Sequence, residues 1–199
     1  MRPAIRTLLA GFAAALLLGA PSARAGDTYV ALKGGVLAPT AKDGISAAGG
    51  AVTGQFPTSG DVEVALGATF GIIGAQISTG YMWSSQTVTN LGATGTAKAS
   101  MIPLTVVGQL RLPIFFIQPY LEAGIGGLLN FATTSEAFVS TATTKASFMV
   151  VGGAGVDFIL GPVLLGAEAR YNYITEQTFD WGSMKLSGVT LTANVGYVF

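Results

Sequence analysis

Histidine and cysteine are both absent from the 199 residues. Without Cys there is no disulfide framework, no zinc–thiolate site and no lipid-modified N-terminal cysteine. Without His, the usual base that activates a Ser, Thr or Cys nucleophile is missing. Charge is scarce as well. Only 10% of residues are Asp, Glu, Lys or Arg, against about 25% in an average soluble domain. A surface with so few charges does not all face water. Leucine-rich helical runs are also lacking. The most apolar stretch of the body, residues 112–131, is interrupted by Pro113, Gln118, Pro119 and Glu122, and its glycines oppose a helix.

What is present begins with an export signature. Arg2 and Arg6 form a positive region, residues 8–20 an uncharged apolar core, and Pro21 and Ser22 break it. Ala23-Arg24-Ala25 then offers small residues where a signal peptidase needs them. The apolar core is too short for a spanning helix, which takes about 20 residues. The expected organisation is a signal peptide over residues 1–25 and one domain over 26–199. Removing the signal leaves seven basic residues against ten acidic ones. No basic patch for nucleic acid results. An exported, charge-poor chain with no helix to span a membrane has one other permitted solution, a closed barrel.

Period-two alternation supports that solution. Eight strands are expected, over residues 28–37, 61–72, 75–85, 100–112, 118–131, 146–160, 163–173 and 185–199. In each, one parity is apolar: Val30, Leu32 and Val36, for example, or Ile102, Leu104, Val106 and Leu110. The other parity carries many of the glycines and the charges Lys33, Glu63, Arg111, Glu122, Asp157, Glu168 and Arg170. The connections alternate. Short ones fall at 72–74, 112–117 and 161–162, and long polar ones at 38–60, 86–99, 132–145 and 174–184. That matches short periplasmic turns and longer extracellular loops. Outward aromatics sort by depth: Tyr81, Trp83, Phe131, Phe148, Tyr171 and Tyr173 at one end, Phe70, Phe158, Tyr197 and Phe199 at the other. Two aromatic girdles flank the apolar band of a transmembrane barrel. A soluble barrel would instead turn its apolar side chains inward. The expected fold is therefore all-β, an eight-stranded antiparallel transmembrane up-and-down barrel.

Three segments carry a family likeness. Pro119-Tyr120-Leu121-Glu122-Ala123-Gly124-Ile125-Gly126 resembles the fifth-strand motif of the small outer-membrane β-barrel family, which includes OmpA-like transmembrane domains, OmpW-like proteins and opacity-type proteins. Gly166-Ala167-Glu168-Ala169-Arg170-Tyr171 is similar to its seventh strand. Gly196-Tyr197-Val198-Phe199 resembles its terminal strand, which ends in Phe. The resemblance implies a bacterial outer-membrane location with periplasmic termini and extracellular loops. It implies outer-membrane lipid and lipopolysaccharide as surroundings, and barrel-assembly machinery reading Tyr197 and Phe199. No periplasmic domain is expected after the last strand, so peptidoglycan binding is not implied. The enzymes among outer-membrane barrels resemble one another in using a catalytic His, which is lacking here. Neither an enzyme activity nor a cofactor is expected.

Two constellations remain. The inward charges Lys33, Glu63, Arg111, Glu122, Asp157, Glu168 and Arg170 read as a salt-bridge network filling a narrow lumen, because buried charges need partners. Arg111 is expected to pair with Glu122, with Asp157 close by. The inward Met82, Met101, Leu128, Met149 and Met184 read as a hydrophobic plug, or as an apolar pocket for a small hydrophobic ligand, since Met adapts its shape. The functional expectation is a structural or surface-interaction barrel. The alternative is a narrow channel or hydrophobic conduit.

Overall fold

A computed structural model describes residues 27–40, 45–47, 53–54, 58–90, 93–136, 139–175, 177–179, 182–184 and 187–199, with side chains for 27–40, 58–83, 100–131, 144–175 and 187–199. The expected signal peptide and the Met184 side chain lie outside these. Eight strands form a closed barrel: β1 (Thr28–Pro39), β2 (Ser59–Phe70), β3 (Ile73–Asn90), β4 (Ala93–Arg111), β5 (Ile117–Glu136), β6 (Val139–Leu160), β7 (Val163–Ile174) and β8 (Gly188–Val198). Each strand pairs antiparallel with its sequence neighbour, and β1 closes on β8 from Tyr29↔Val198 to Pro39↔Gly188. Within the closed part of the barrel no edge is free, so the backbone ladder there is satisfied without water.

The alternation decides which side faces in. Lys33, Glu63, Arg111, Glu122, Asp157, Glu168 and Arg170 are all buried in the lumen, while Leu32, Val64, Ile77, Leu104, Leu121, Ile125, Leu165 and Leu191 lie on the outside. A one-residue slip in register would exchange the two sets and place charge in lipid. The outward aromatics fall in two belts, as the depth pattern expects. Tyr81 and Trp83 stack at 6.0 Å near one end. Tyr197 and Phe199 meet edge to face at 5.1 Å near the other.

Three two-residue turns join the strands at one end. Phe70 pairs with Ile73 around Gly71 and Ile72, Leu160 with Val163 around Gly161 and Pro162, and Ile114 with Ile117 around Phe115 and Phe116. Gly71 and Gly161 open their turns at φ of +64° and +65°, a region glycine enters without steric cost.

The opposite end differs from expectation. The connections expected at 86–99 and 132–145 are largely strand. β3 and β4 pair up to Asn90↔Ala93, and β5 and β6 up to Glu136↔Val139. The four strands run 18 to 22 residues, well beyond the roughly 9–11 that cross a bilayer. These extensions are rich in Ser, Thr and Ala. Thr favours strand, but with both faces outside lipid there is no apolar stripe to reveal the period. β3 to β6 therefore rise as one wall. Within the β1–β2 and β7–β8 connections, Gln177–Phe179, Gly182–Met184, Ile45–Ala47 and Thr53–Gly54 pair in that order as a second small sheet.

Candidate functional site

The lumen is the place where the chain concentrates its charge. Arg170, on β7, is the hub. Its Nε donates to Glu122 Oε1 on β5 at 2.8 Å. Its Nη2 lies 2.7 Å from Glu168 Oε1 on its own strand, and its Nη1 lies 3.4 Å from Glu63 Oε2 on β2. Lys33, on β1, completes the group by donating to Glu168 Oε2 at 2.6 Å. Tyr120 donates its hydroxyl proton to the same oxygen at 2.9 Å. The planar guanidinium suits this, because its fork of donors can serve several carboxylates at fixed angles.

Arg111 forms a second group nearer the turns. Its Nη1 donates to Asp157 Oδ2 at 2.8 Å, and Nε and Nη2 both donate to Gln109 Oε1, at 2.9 and 2.8 Å. Nη2 also reaches the Tyr29 hydroxyl at 3.1 Å across the lumen. The guanidinium carbon sits 5.2 Å from the Tyr29 ring centroid and 4.7 Å from that of Tyr120, within cation–π range. Two rings thus lie against this one cation.

The expected Arg111–Glu122 pair does not form. The register sets Gln109, not Arg111, opposite Glu122, and Arg111 opposite Tyr120. Gln109 stands between them: its amide donates to Glu122 Oε2 at 3.1 Å while its carbonyl accepts from Arg111. Glu122 accordingly belongs to the Arg170 group, and Asp157 is the partner of Arg111 rather than a bystander.

Sequence reasoning left Tyr29, Tyr120, Gln109 and Asp61 out of this site. Their parity gives them away, since 29 and 61 share the inward face of their strands with Lys33 and Glu63. Glycine makes room for the rings. A Cβ at Gly67 would lie 2.2 Å from Tyr29 Cζ, and one at Gly155 would lie 2.4 Å from Tyr120 Cζ, so each ring fills the space that a side chain would take. Asp61 is the exception to the pairing. Both of its carboxylate oxygens are buried with no protein partner.

Above the charges the lumen becomes apolar. Met82 faces Met101 directly across β3 and β4, and Met149 pairs with Gly126 and Ile174. Leu37, Leu128, Val107, Val151 and Ile174 complete one cluster with the three methionines, every member at most 4% exposed. The expected residues Met82, Met101, Leu128 and Met149 do come together, as a packed layer. Among the described residues no group of His, Cys, Asp or Glu is arranged to hold a metal.

The family model for the outer membrane protein β-barrel domain matches residues 10–199. The chain belongs to that family. Among solved structures it is similar to Neisserial surface protein A, with a TM-score of 0.55 and 16% identity over 87% of this chain and 97% of that one. The attachment invasion locus protein Ail of Yersinia pestis gives 0.52 and 15% over 87% and 99%. A major outer membrane protein of Thermus thermophilus gives 0.61 and 10% over 88% and 100%. At such identities the likeness concerns the fold. No curated protein matches the chain. Fold and outer-membrane family therefore agree with the sequence reading, and a family that shares a fold need not share a task.

Proposed function

We propose that this is a non-enzymatic outer-membrane barrel with a closed lumen, whose role is structural or exercised at its surface. The observation that supports this best is the filling of the lumen. The seven expected charges are at most 5% exposed, and Arg170 and Arg111 bridge strands on opposite walls. An eight-stranded barrel has little interior beyond what side chains fill. The carboxylates of the network are engaged by cations and not offered to a substrate.

In this reading the β3–β6 wall and the second small sheet point away from the cell, and the termini lie in the periplasm. Residues 1–25 direct export and are removed. Outer-membrane lipid and lipopolysaccharide surround the apolar band, and the assembly machinery reads the last strand with Tyr197 and Phe199. Two structural relatives are described as a surface protein and as an attachment invasion locus protein. A surface task of that kind suits a wall of paired strands standing clear of the bilayer. The alternative, a conduit for a hydrophobic molecule, draws on the methionine layer, whose flexible side chains would have to swing aside.

The test shortens both hairpins, replacing residues 84–99 and 132–143 with two-residue turns, so that Trp83 still pairs with Ser100 and Phe131 with Thr144, and displays the protein on cells. The barrel should still migrate as a heat-modifiable species on gels, while adherence of the cells to matrix-coated surfaces is lost. Unchanged adherence would overturn the surface role. So would intact protein conferring no adherence beyond that of cells lacking it.

A further inference from the structure

The three turns share a positive φ at their first central position, and one of them places a side chain there. The first central position has φ of +64° at Gly71, +65° at Gly161 and +54° at Phe115. Two-residue hairpin turns place glycine there because side chains are strained at positive φ. Phe115 accepts that strain and receives nothing from the chain in return, for its side chain is 96% exposed. Its neighbours Ile114 and Phe116 are also exposed. An outlier backbone that no internal contact rewards points to something outside the molecule that does.

The surroundings say what that is. None of the three turns contains a charged residue. Phe70, Ile72, Leu112 and Leu160 carry the exposed apolar surface of the band right down to the turns. From Ile73 to Trp83 on β3, and from Val163 to Tyr173 on β7, ten residues separate the turn from the far aromatic belt. At about 3.3 Å per residue and a tilt of about 40°, this is a height of roughly 25 Å. Outer-membrane barrels have an apolar band of about that height. The band therefore ends at the turns, and the Ile114–Ile117 turn lies at the boundary of acyl chains and headgroups.

We infer that Phe115, with Ile114 and Phe116, is a lipid anchor: the tip of the β4–β5 turn inserts at the boundary between headgroups and acyl chains and fixes the depth of the barrel. Conformational strain is accepted at one turn because an aromatic ring, unlike glycine, gains from that environment. This rests on the membrane placement of the barrel, not on the closed lumen or the surface role.

The absence of cysteine makes the test clean. A nitroxide is attached at P113C, beside an intact Phe115, in protein reconstituted into phospholipid vesicles. Its exposure to oxygen and to a water-soluble nickel chelate is compared with that of F158C in the outward belt. The P113C label should read as interfacial, with low access to the chelate. Adding Phe115→Asn, a residue that tolerates positive φ, should raise that access several-fold in vesicles while leaving unfolding in detergent unchanged or improved. A P113C label open to the chelate from the start overturns the proposal. So does no change on Phe115→Asn, or spin–spin broadening that vanishes on dilution with unlabelled protein, which would mean a second copy covers the turn. If F158C is also open to the chelate, the membrane placement itself has failed, and that outcome is distinct from the others.

Discussion

The lower and upper lumen are built on the same strands from opposite chemistry. Below, Lys33, Glu63, Arg111, Glu122, Asp157, Glu168 and Arg170 are locked in five ion pairs. Above, Met82, Met101, Leu128 and Met149 pack without a charge among them. Between the two stands Asp61, opposite Met82 on one side and Gly35 on the other. The charged half specifies partners. Each guanidinium has one arrangement that serves its carboxylates, and this fixes which strands face each other across the barrel. The apolar half specifies only volume. A narrow barrel can be closed by either device, but the two fail differently. Losing one charge strands several others, while losing one methyl group leaves a gap.

The largest effect is expected at the hub. Arg170→Met leaves Glu63, Glu122 and Glu168 without their shared cation, and removing one partner of a buried ion pair costs about 3–5 kcal/mol. Urea unfolding of the reconstituted protein, followed by Trp fluorescence, should show that loss. A change within error would mean the ion pairs are not what holds the lower lumen. In the upper half, Met101→Ala should cost toward the lower end of about 2–5 kcal/mol by leaving a cavity. Met101→Leu should cost less than about 1.5 kcal/mol, as volume-conserving swaps do. Equal losses for the two would show that something more specific than packing is needed there. At the seam the sign reverses. Asp61→Leu removes a buried carboxylate with no protein donor, and the expected change is a gain of about 1–3 kcal/mol. A loss of stability would mean that Asp61 has a partner essential to the fold.

The sequence makes the inward face legible because the period of a strand is strict. Lys33 and Arg111 each sit among apolar neighbours of the other parity, so their direction follows without knowing the fold. Partner choice is less legible. Arg111 and Glu122 are close in a hairpin, yet the register places Gln109 between them, and the true partner, Asp157, lies two strands away on β6. Only the stagger of the closed barrel brings it there. Strand ends above the membrane are illegible for another reason. In residues 84–99 the two larger apolar residues, Val88 and Leu91, fall on opposite parities among polar and small ones, so the ladder continues where the hydrophobic signal stops. The methionine layer was legible as a cluster, but its packing was not, since parity reports direction and not whether space remains between side chains.

The central claim is that cross-lumen ion pairs close the barrel, and single-channel recording of purified monomer in planar bilayers tests it most directly. Intact protein should give no steady, large conductance. The Arg111→Ala/Arg170→Ala double variant, if it still inserts, should show small, flickering currents as water enters the lower lumen beneath the methionine layer. Steady, large currents from the intact protein would contradict the account.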